Sequence, residues 1–221
     1  MPRERDPAAA RARMVERQLR RRGIRDERVL AAMAEVPRER FVPETQRRRA
    51  YSDGALPIGH DQTISQPWIV AAICEALELE GGERVLEIGT GSGYSACVLA
   101  RLAGQVLSVE RMGELVSSAR AVIGALGCEN VEVIEGDGSA GLPDRAPFGG
   151  IAVHATAPAP PASLLAQLEV GARLVVPIAS EGIDMLTVFT NLGEGHGEQR
   201  YAQRSLGPCR FVPLIGSEGF G

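Results

Sequence analysis

The sequence predicts an α/β fold, in which a mostly parallel sheet has helices on both faces and follows an N-terminal helical extension. Short apolar runs alternate with helical apolar stripes from residue 84 to residue 178, which is the pattern of parallel strands joined by right-handed crossovers. The first run, Arg84 to Ile88, leads through a glycine-rich loop into an apolar helix that begins at Tyr94. A strand, a glycine turn and a helix start in this order are typical of a Rossmann-like nucleotide-binding sheet.

The chain is long enough to form one domain with a sizeable core. It has 221 residues, of which 44% are hydrophobic. We expect a single domain, 1–221, in three segments. These are a helical and irregular extension on the substrate side at 8–65, a cofactor-binding core at 66–178, and strands that close the sheet at 179–221.

The charge is unevenly distributed. The net charge is −4, yet 15 of the 24 arginines lie in the first 50 residues, and there is no lysine. Because these arginines lie beside acids on helical faces without interleaved aromatic residues, we expect a solvated surface and no nucleic-acid binding, with a basic arm that holds nucleic acid as the alternative. No apolar run approaches the roughly 18 residues of a membrane span, and no signal-peptide pattern is present, so no membrane contact is expected.

The cysteines and histidines point to a reducing compartment and to no metal site. The four cysteines have no CxxC spacing, which favours reduced thiols in a cytoplasmic protein. His60 and His196 have no partners at ligand spacing, so we expect no metal.

The remaining elements follow from apolar periodicity and from capping residues. Helices are predicted at 8–22, 27–36, 66–79, 94–102, 115–126 and 163–168. Strands are predicted at 84–88, 105–109, 131–134, 150–153, 173–178, 185–189 and 209–214. Gly23 is expected to end the first helix and Asp26 to cap the second. Residues 38–65 are expected to be irregular but ordered, because they are rich in apolar side chains. The turn cluster Gly193 to Gly197 predicts that the last two strands pair antiparallel at the edge of the sheet.

The glycine loop disfavours the common nucleotide cofactors. Its glycines are Gly89, Gly91 and Gly93, whereas the dinucleotide fingerprint needs a glycine where this chain has Tyr94. A side chain there would crowd a pyrophosphate at the helix N-terminus, so NAD is disfavoured. A phosphate-binding P-loop is excluded because the chain has no lysine.

Acids lie at the ends of the first three strands of the core. An acid about 20 residues after the loop can bind both hydroxyls of a ribose, which is the expected role of Glu110. Asp137 is placed to meet an adenine amino group. Three acids suit a cofactor that has an adenosine and a cationic tail but no phosphates, which predicts S-adenosylmethionine; the alternative is that the acids only cap loops. The residues expected to bind it are Glu87, Glu110 and Asp137, with Gly89, Thr90, Gly91 and Gly93 of the loop.

Several stretches together resemble the protein-L-isoaspartate O-methyltransferase family, over about residues 14 to 216. They are Val36 to Pro43, Ala55 to Gly59, Gln62 to Pro67, Arg84 to Tyr94, Ser108 to Arg111, Gly136 to Gly138, Ala146 to Phe148 and Phe211 to Leu214. The stretches Ala55 to Gly59 and Gln62 to Pro67 are specific to that family among methyltransferases, and they lie in the irregular segment.

The resemblance implies transfer of a methyl group from S-adenosylmethionine to the α-carboxyl of L-isoaspartyl residues in damaged proteins and peptides. The ester then cyclises to a succinimide, which reopens partly to aspartate. The implied fold is that of class I S-adenosylmethionine-dependent methyltransferases, with the last strands exchanged in order relative to most relatives. Ser65 is implied as the catalytic residue. The further implied cofactor contacts are Gln62, Thr63, Ile64, Ser65 and Gly138, and the implied substrate wall is Ala55, Leu56, Pro57 and Ile58.

The chemistry of this reaction agrees with the lack of a nucleophile–His–acid set in the sequence. A carboxylate with a pKa near 4 is ionised at pH 7 and attacks a sulfonium methyl group without a general base. Catalysis then depends on alignment and on removal of water from the carboxylate. The hydroxyl of Ser65 can orient the carboxylate, and its alternative role is to cap the helix that follows.

Two residues depart from the family pattern. Gly149 follows Phe148 where members usually have aspartate, and His154 stands where many have threonine. We expect Gly149 to weaken the start of its strand and His154 to face the substrate, with a structural or solvent-facing histidine as the alternative. These departures leave open a methyltransferase of the same fold with a different acceptor. A non-enzymatic cofactor-binding module is a third possibility, and a monomer is expected.

Overall fold

The computed structural model describes residues 6–193 and 200–220, and it has the predicted α/β architecture. The helices are α1 (Pro7–Met14), α2 (Glu27–Glu35), α3 (Pro67–Leu77), α4 (Tyr94–Leu99), α5 (Gly113–Ala125) and α6 (Ala162–Ala166). The strands are β1 (Leu56–Gly59), β2 (Gln62–Ile64), β3 (Arg84–Ile88), β4 (Gln105–Glu110), β5 (Val131–Glu135), β6 (Phe148–Val153), β7 (Leu168–Ser180), β8 (Ile183–Asn191) and β9 (Tyr201–Cys209).

The N-terminal extension begins with the two predicted helices. α1 continues through a π-helical turn and a 3₁₀ turn as far as Arg22, and Gly23 ends it at φ 100°, where a left-handed conformation favours glycine. The carboxylate of Asp26 accepts hydrogen bonds from the backbone N–H groups of Arg28 and Val29, so the predicted cap of α2 is confirmed.

Residues 38–65 are more regular than predicted. They form two 3₁₀ turns, Arg38–Phe41 and Glu44–Arg49, and then the antiparallel hairpin of β1 and β2. The hairpin turn is His60-Asp61, with φ of 52° and 56°. Its strands are too short to show an alternating pattern, and its turn lacks the Asn-Gly or Asp-Gly pair that usually marks such turns.

The core is a seven-stranded sheet in the order β5-β4-β3-β6-β7-β8-β9. Neighbours are parallel from β5 to β7, and β8 and β9 are added antiparallel in chain order. The connections leave β3 and β6 in opposite directions, which places a topological switch point between their carboxyl ends, where α/β sheets bind ligands.

The sheet is buried on both faces, as predicted. Val85 and Val106 belong to a hydrophobic cluster that includes the N-terminal extension, α3, α4 and α5. Leu86 and Leu107 point to the other face, in a cluster that includes Leu164 of α6. The N-terminal extension therefore packs onto the core of the sheet.

The predicted strand at 209–214 is wrong. β9 occupies 201–209, whereas residues 211–220 form a segment, called here the C-terminal strap, that crosses the end of β6 through bonds between Thr156 and the backbone of Val212 and Leu214. The apolar run Phe211 to Leu214 reflects contact with the core, while the edge strand β9 is mostly exposed and polar. Of the predicted turn cluster, residues 194–197 lie outside the described residues.

None of the helices in the described part of the chain is long and apolar enough to cross a membrane.

Candidate active site

A cavity of about 290 Å³ lies at the switch point, against the carboxyl ends of β3, β4 and β6. Its walls come mainly from the glycine loop and the start of α4, the ends of β4, β5 and β6, the hairpin with Ser65, and the strap. The predicted residues that line it are Gln62, Thr63, Ile64, Ser65, Gly89, Thr90, Gly91, Glu110, Gly138 and His154. The structure thus brings together residues separated by up to 92 positions.

The three glycines of the loop have different roles. All three have positive φ, 91° at Gly89, 53° at Gly91 and 85° at Gly93. Gly89 and Gly91 line the cavity. Gly93 does not line it; a Cβ atom there would lie 2.9 Å from the side chain of Ile123, so α5 rather than a ligand excludes larger residues.

Glu110 is the acid that lines the cavity at the end of β4. One of its carboxylate oxygens accepts a hydrogen bond from the N–H of Gly91 at 2.9 Å, and the other accepts from the N–H of Met112 at 3.1 Å. Each oxygen keeps a free lone pair for a further donor. The carboxylate can therefore accept hydrogen bonds from two further donors, and its binding of a ribose stays a prediction.

Glu87 is fully buried and is not part of the cavity wall. It accepts a hydrogen bond from Ser108 at 2.5 Å, and the hydroxyl of Ser108 in turn lies 2.5 Å from that of Thr90 in the glycine loop. The carboxylate of Glu87 is therefore linked to the glycine loop through the hydroxyls of Ser108 and Thr90.

Asp137 also contacts backbone rather than the cavity. One oxygen accepts from the N–H of Ser139 and the other from the N–H of Ser217, each at 2.8 Å. Ser217 belongs to the strap, so Asp137 joins the end of β5 to the segment whose residues 212–215 form one wall of the cavity. Burial acts to raise the pKa of Asp137, but these two N–H donors outweigh it and hold the pKa below its usual value.

A second cavity of about 250 Å³ adjoins the first. The two share Thr63, Ser65, His154 and Val212. Ala55 lines the second cavity, but the other residues of the expected substrate wall do not: Leu56 is 1% exposed in the core, and Pro57 and Ile58 lie outside this cavity. Ile58 instead approaches the glycine loop, 3.5 Å from the position of a Cβ on Gly91.

Ser65 lies at the boundary of the two cavities and does not cap a helix. The N-cap of α3 is Gln66, and no side chain bonds to the first turn. The alternative role expected for Ser65, as a helix cap, is therefore wrong. Its backbone carbonyl accepts a hydrogen bond from Arg38 at 2.7 Å, while its hydroxyl has no partner among the described residues.

His154 faces the site, at the end of β6. Its backbone N–H donates to Ile88 at 2.8 Å, and its Nε2 lies 2.8 Å from the hydroxyl of Ser95 and 3.3 Å from Oε1 of Glu87. The side chain is 7% exposed. The other departure, Gly149, lies at the opposite end of β6, where a Cβ would come 2.7 Å from that of Glu83. Of the two departures, only His154 lines the cavities.

Sequence reasoning missed several residues of the site. Ser95 lines the first cavity from the first turn of α4. Its position just after the glycine loop is the sequence feature that indicates a place in the site. Arg210 and Phe211 line the second cavity, but they had been placed in a strand. Ser108 belongs to one of the stretches that resemble the family, but no local pattern predicts its contacts with Glu87 and Thr90.

Comparison with known proteins agrees with the geometry. The family profile described as protein-L-isoaspartate(D-aspartate) O-methyltransferase (PCMT) matches residues 10–219. The chain is 53% identical over 216 residues to protein-L-isoaspartate O-methyltransferase 1 of Rhodopseudomonas palustris (strain HaA2), covering 96% of this chain and 86% of that protein. It is 51% identical over 210 residues to the protein-L-isoaspartate O-methyltransferase of Methanoregula boonei, covering 95% and 94%.

Solved structures give the same result. A protein-L-isoaspartate O-methyltransferase superposes with a TM-score of 0.83 at 30% identity, covering 95% of this chain and 67% of that one. A Plasmodium falciparum structure of the same description, in complex with S-adenosyl-L-homocysteine, has a TM-score of 0.77 at 25% identity and covers 93% and 98%. The predicted fold class and the family resemblance are thereby confirmed, and the chain belongs to the protein-L-isoaspartate(D-aspartate) O-methyltransferase family.

Proposed function

We propose that this protein transfers the methyl group of S-adenosylmethionine to the α-carboxyl of L-isoaspartyl residues in proteins and peptides. The observation that supports it best is the meeting of two cavities at Ser65 and His154. One cavity suits the cofactor, the other suits an acceptor, and the shared wall is where the reacting atoms would meet.

The linings of the cavities differ in charge. The first contains two acids, Glu110 and Asp61, against one arginine, Arg111, together with backbone of the glycine loop, which suits a cationic ligand that has a ribose. The second contains Arg210 and no aspartate or glutamate, which suits an anionic acceptor. The residues present thus fit both S-adenosylmethionine and a carboxylate.

The proposed chemistry needs few protein groups. When bound, S-adenosylmethionine supplies an electrophilic methyl group. The acceptor carboxylate is already ionised at pH 7, so no residue has to remove a proton. The free hydroxyl of Ser65 donates a hydrogen bond that orients the carboxylate, and the largely buried side chain of His154 limits the water beside it.

The cofactor contacts divide into two groups under this proposal. Gln62 to Ser65, Gly89 to Gly91, Glu110 and Gly138 would touch the cofactor. Glu87, Gly93 and Asp137 would act indirectly, since they hold the loop, α4 and the strap in place. Ala55 and His154 would contact the substrate.

A methylation assay tests the proposal. The purified protein is incubated with labelled S-adenosylmethionine and an isoaspartyl peptide, and base-labile methyl ester is counted. An aspartyl peptide of the same sequence is the control. We expect ester only with the isoaspartyl peptide; equal counts from both peptides would contradict the proposal.

His154 supports one alternative, a different acceptor for the same cofactor, because an imidazole at the shared wall changes the shape and polarity of the acceptor cavity. Competition separates the two. An isoaspartyl peptide that fails to inhibit methylation of another acceptor would favour the alternative.

We also propose that the protein acts as a monomer in the cytoplasm. All four cysteines are free thiols, which fits a reducing compartment. Of the large apolar side chains in the described residues, only Val170, Ile183 and Leu192 are markedly exposed, and three residues do not make a large interface.

A further inference from the structure

Arg38 is a cation buried in the protein interior, with 0% of its surface exposed. It begins the 3₁₀ turn after α2. Across residues 6–193 and 200–220 it forms no ion pair with a carboxylate. Burial lowers its pKa, an effect that nearby Tyr94 and Tyr51 oppose. An apolar side chain would avoid the desolvation of a buried guanidinium, so its presence indicates a role beyond filling space.

The contacts of Arg38 join three separate parts of the chain. Its Nε donates to the carbonyl of Ala50 at 2.8 Å, and one Nη donates to the carbonyl of Ser65 at 2.7 Å. Its guanidinium carbon lies 4.8 Å from the centre of the Tyr94 ring, a cation–π distance.

Two of these partners belong to opposite sides of the site. Ser65 lines both cavities, and Tyr94 is the first residue of α4, directly after the glycine loop. Tyr94 is itself held by an edge-on contact with Phe41, whose ring centre is 5.5 Å away. The rigid guanidinium therefore fixes the distance between Ser65 and the helix that carries the glycine loop.

We propose that Arg38 is a positioning residue for methyl transfer, which holds the Ser65 backbone so that the Ser65 hydroxyl is in register with the glycine loop. This inference rests on the proposed function of Ser65. Arg38 lines neither cavity, so it acts through Ser65 and Tyr94 rather than on a ligand.

Arg38→Met tests this inference, because methionine keeps much of the length but has no donor. Arg28→Met, at an exposed arginine, is the control for the loss of two backbone hydrogen bonds. Arg28 also donates to two backbone carbonyls, of Leu79 at 2.6 Å and Leu102 at 3.2 Å, but these lie near the amino ends of β3 and β4, away from the site. We expect Arg38→Met to lower kcat about tenfold or more, since hydrogen bonds of a charged donor are lost. The Kd of S-adenosylhomocysteine should change less than about threefold, and Arg28→Met should leave kcat within about twofold.

A double-mutant cycle separates positioning from a general structural effect. In the Ser65→Ala background, Arg38→Met should lower kcat by less than about twofold, because the hydroxyl that it positions is already gone. Equal losses in the two backgrounds, or an equal loss with Arg28→Met, would overturn the proposal. Arg38→Lys, which keeps the charge but replaces the planar guanidinium with a single ammonium group, is used in the same cycle if Arg38→Met does not fold.

Hydrogen exchange gives a readout that does not depend on the reaction. In the full-length protein, Arg38→Met should speed amide exchange in residues 60–66, while Arg28→Met should not. If the wild-type protein fails to methylate isoaspartyl peptides but this exchange still rises, the proposed function fails and the contact role of Arg38 remains. Unchanged exchange would overturn the inference about Arg38.

Discussion

The hydroxyl oxygen of Ser95 lies 2.8 Å from Nε2 of His154, and both residues line the first cavity. Oε1 of the buried Glu87 lies 3.3 Å from the same nitrogen. Two groups on the same side thus orient one edge of the imidazole, and the side chain can turn little because it is only 7% exposed. The other edge of the ring is left for the second cavity, which His154 also lines.

Ser95→Ala should loosen His154 and weaken binding of the acceptor. A neutral hydrogen bond contributes about 0.5–1.5 kcal/mol, so the KM of the isoaspartyl peptide should rise about two- to tenfold. Ser118→Ala is the control, because Ser118 also donates a hydrogen bond but lies on the exposed face of α5. An unchanged KM in Ser95→Ala would show that Ser95 does not orient His154.

Ser65→Ala should lower kcat and leave the cofactor in place. Hydrogen bonds to charged groups contribute about 1.5–3 kcal/mol, so kcat should fall on the order of tenfold to a hundredfold. The backbone bond from Arg38 to Ser65 survives this change, so the Kd of S-adenosylhomocysteine, measured by calorimetry, should stay within about twofold. A loss confined to cofactor affinity would reverse the assigned role.

Glu110→Gln should act mainly on the cofactor. The amide keeps one acceptor oxygen but directs an NH₂ group at a backbone N–H, of either Gly91 or Met112. We expect the Kd of S-adenosylhomocysteine to rise about tenfold or more, with a smaller change in kcat at saturation. Glu135→Gln is the control: Glu135 pairs with Glu110 across β4 and β5, but it is exposed and lies outside the cavity. Equal weakening by both changes would point to loss of net charge instead of a specific contact.

Sequence patterns predicted the core well because strands that are buried on both faces need continuous apolar runs, which are visible in the sequence. The apolar runs of β3 and β4 and the positive-φ glycines at Gly89 and Gly91 are local features. The hairpin of β1 and β2 escaped prediction because its strands are only 4 and 3 residues long. β9 escaped because an edge strand needs few apolar residues, whereas Phe211 to Leu214 is apolar for a reason other than strand pairing.

The side-chain roles in the site were harder to predict than the positions. Ser95 and His154 are 59 residues apart, and no local pattern indicates that they pair. Glu87 and Asp137 were correctly placed near the strand ends, but the partners of a carboxylate depend on which backbone N–H groups the fold brings to it. For Asp137 that partner comes from Ser217, 80 residues away.

The contacts of the C-terminal strap give a prediction about the dissociation rate of S-adenosylhomocysteine and its dependence on pH. Asp137 binds the N–H of Ser217, the hydroxyl of Ser139 accepts from the N–H of Glu218 at 3.0 Å, and Ser163 donates its N–H to Glu218 at 3.1 Å. Asp137→Asn should weaken the first of these contacts and free the wall at 212–215. The dissociation rate of S-adenosylhomocysteine at pH 7, measured by stopped flow, should rise about two- to tenfold.

The sign of the pH dependence follows from the lowered pKa of Asp137. A carboxyl whose pKa is lower in the folded protein stabilises the fold fully above its unfolded pKa of about 3.9, and this contribution is lost as the pH falls through the folded value. The ratio of dissociation rates between Asp137→Asn and wild type should therefore stay constant from pH 7 to about pH 4, and approach one only as the pH falls through the lowered pKa of Asp137. Asp144→Asn, an exposed change outside the site, should give a ratio near one throughout. A ratio for Asp137→Asn that does not change with pH would mean that the charge of Asp137 does not hold the strap.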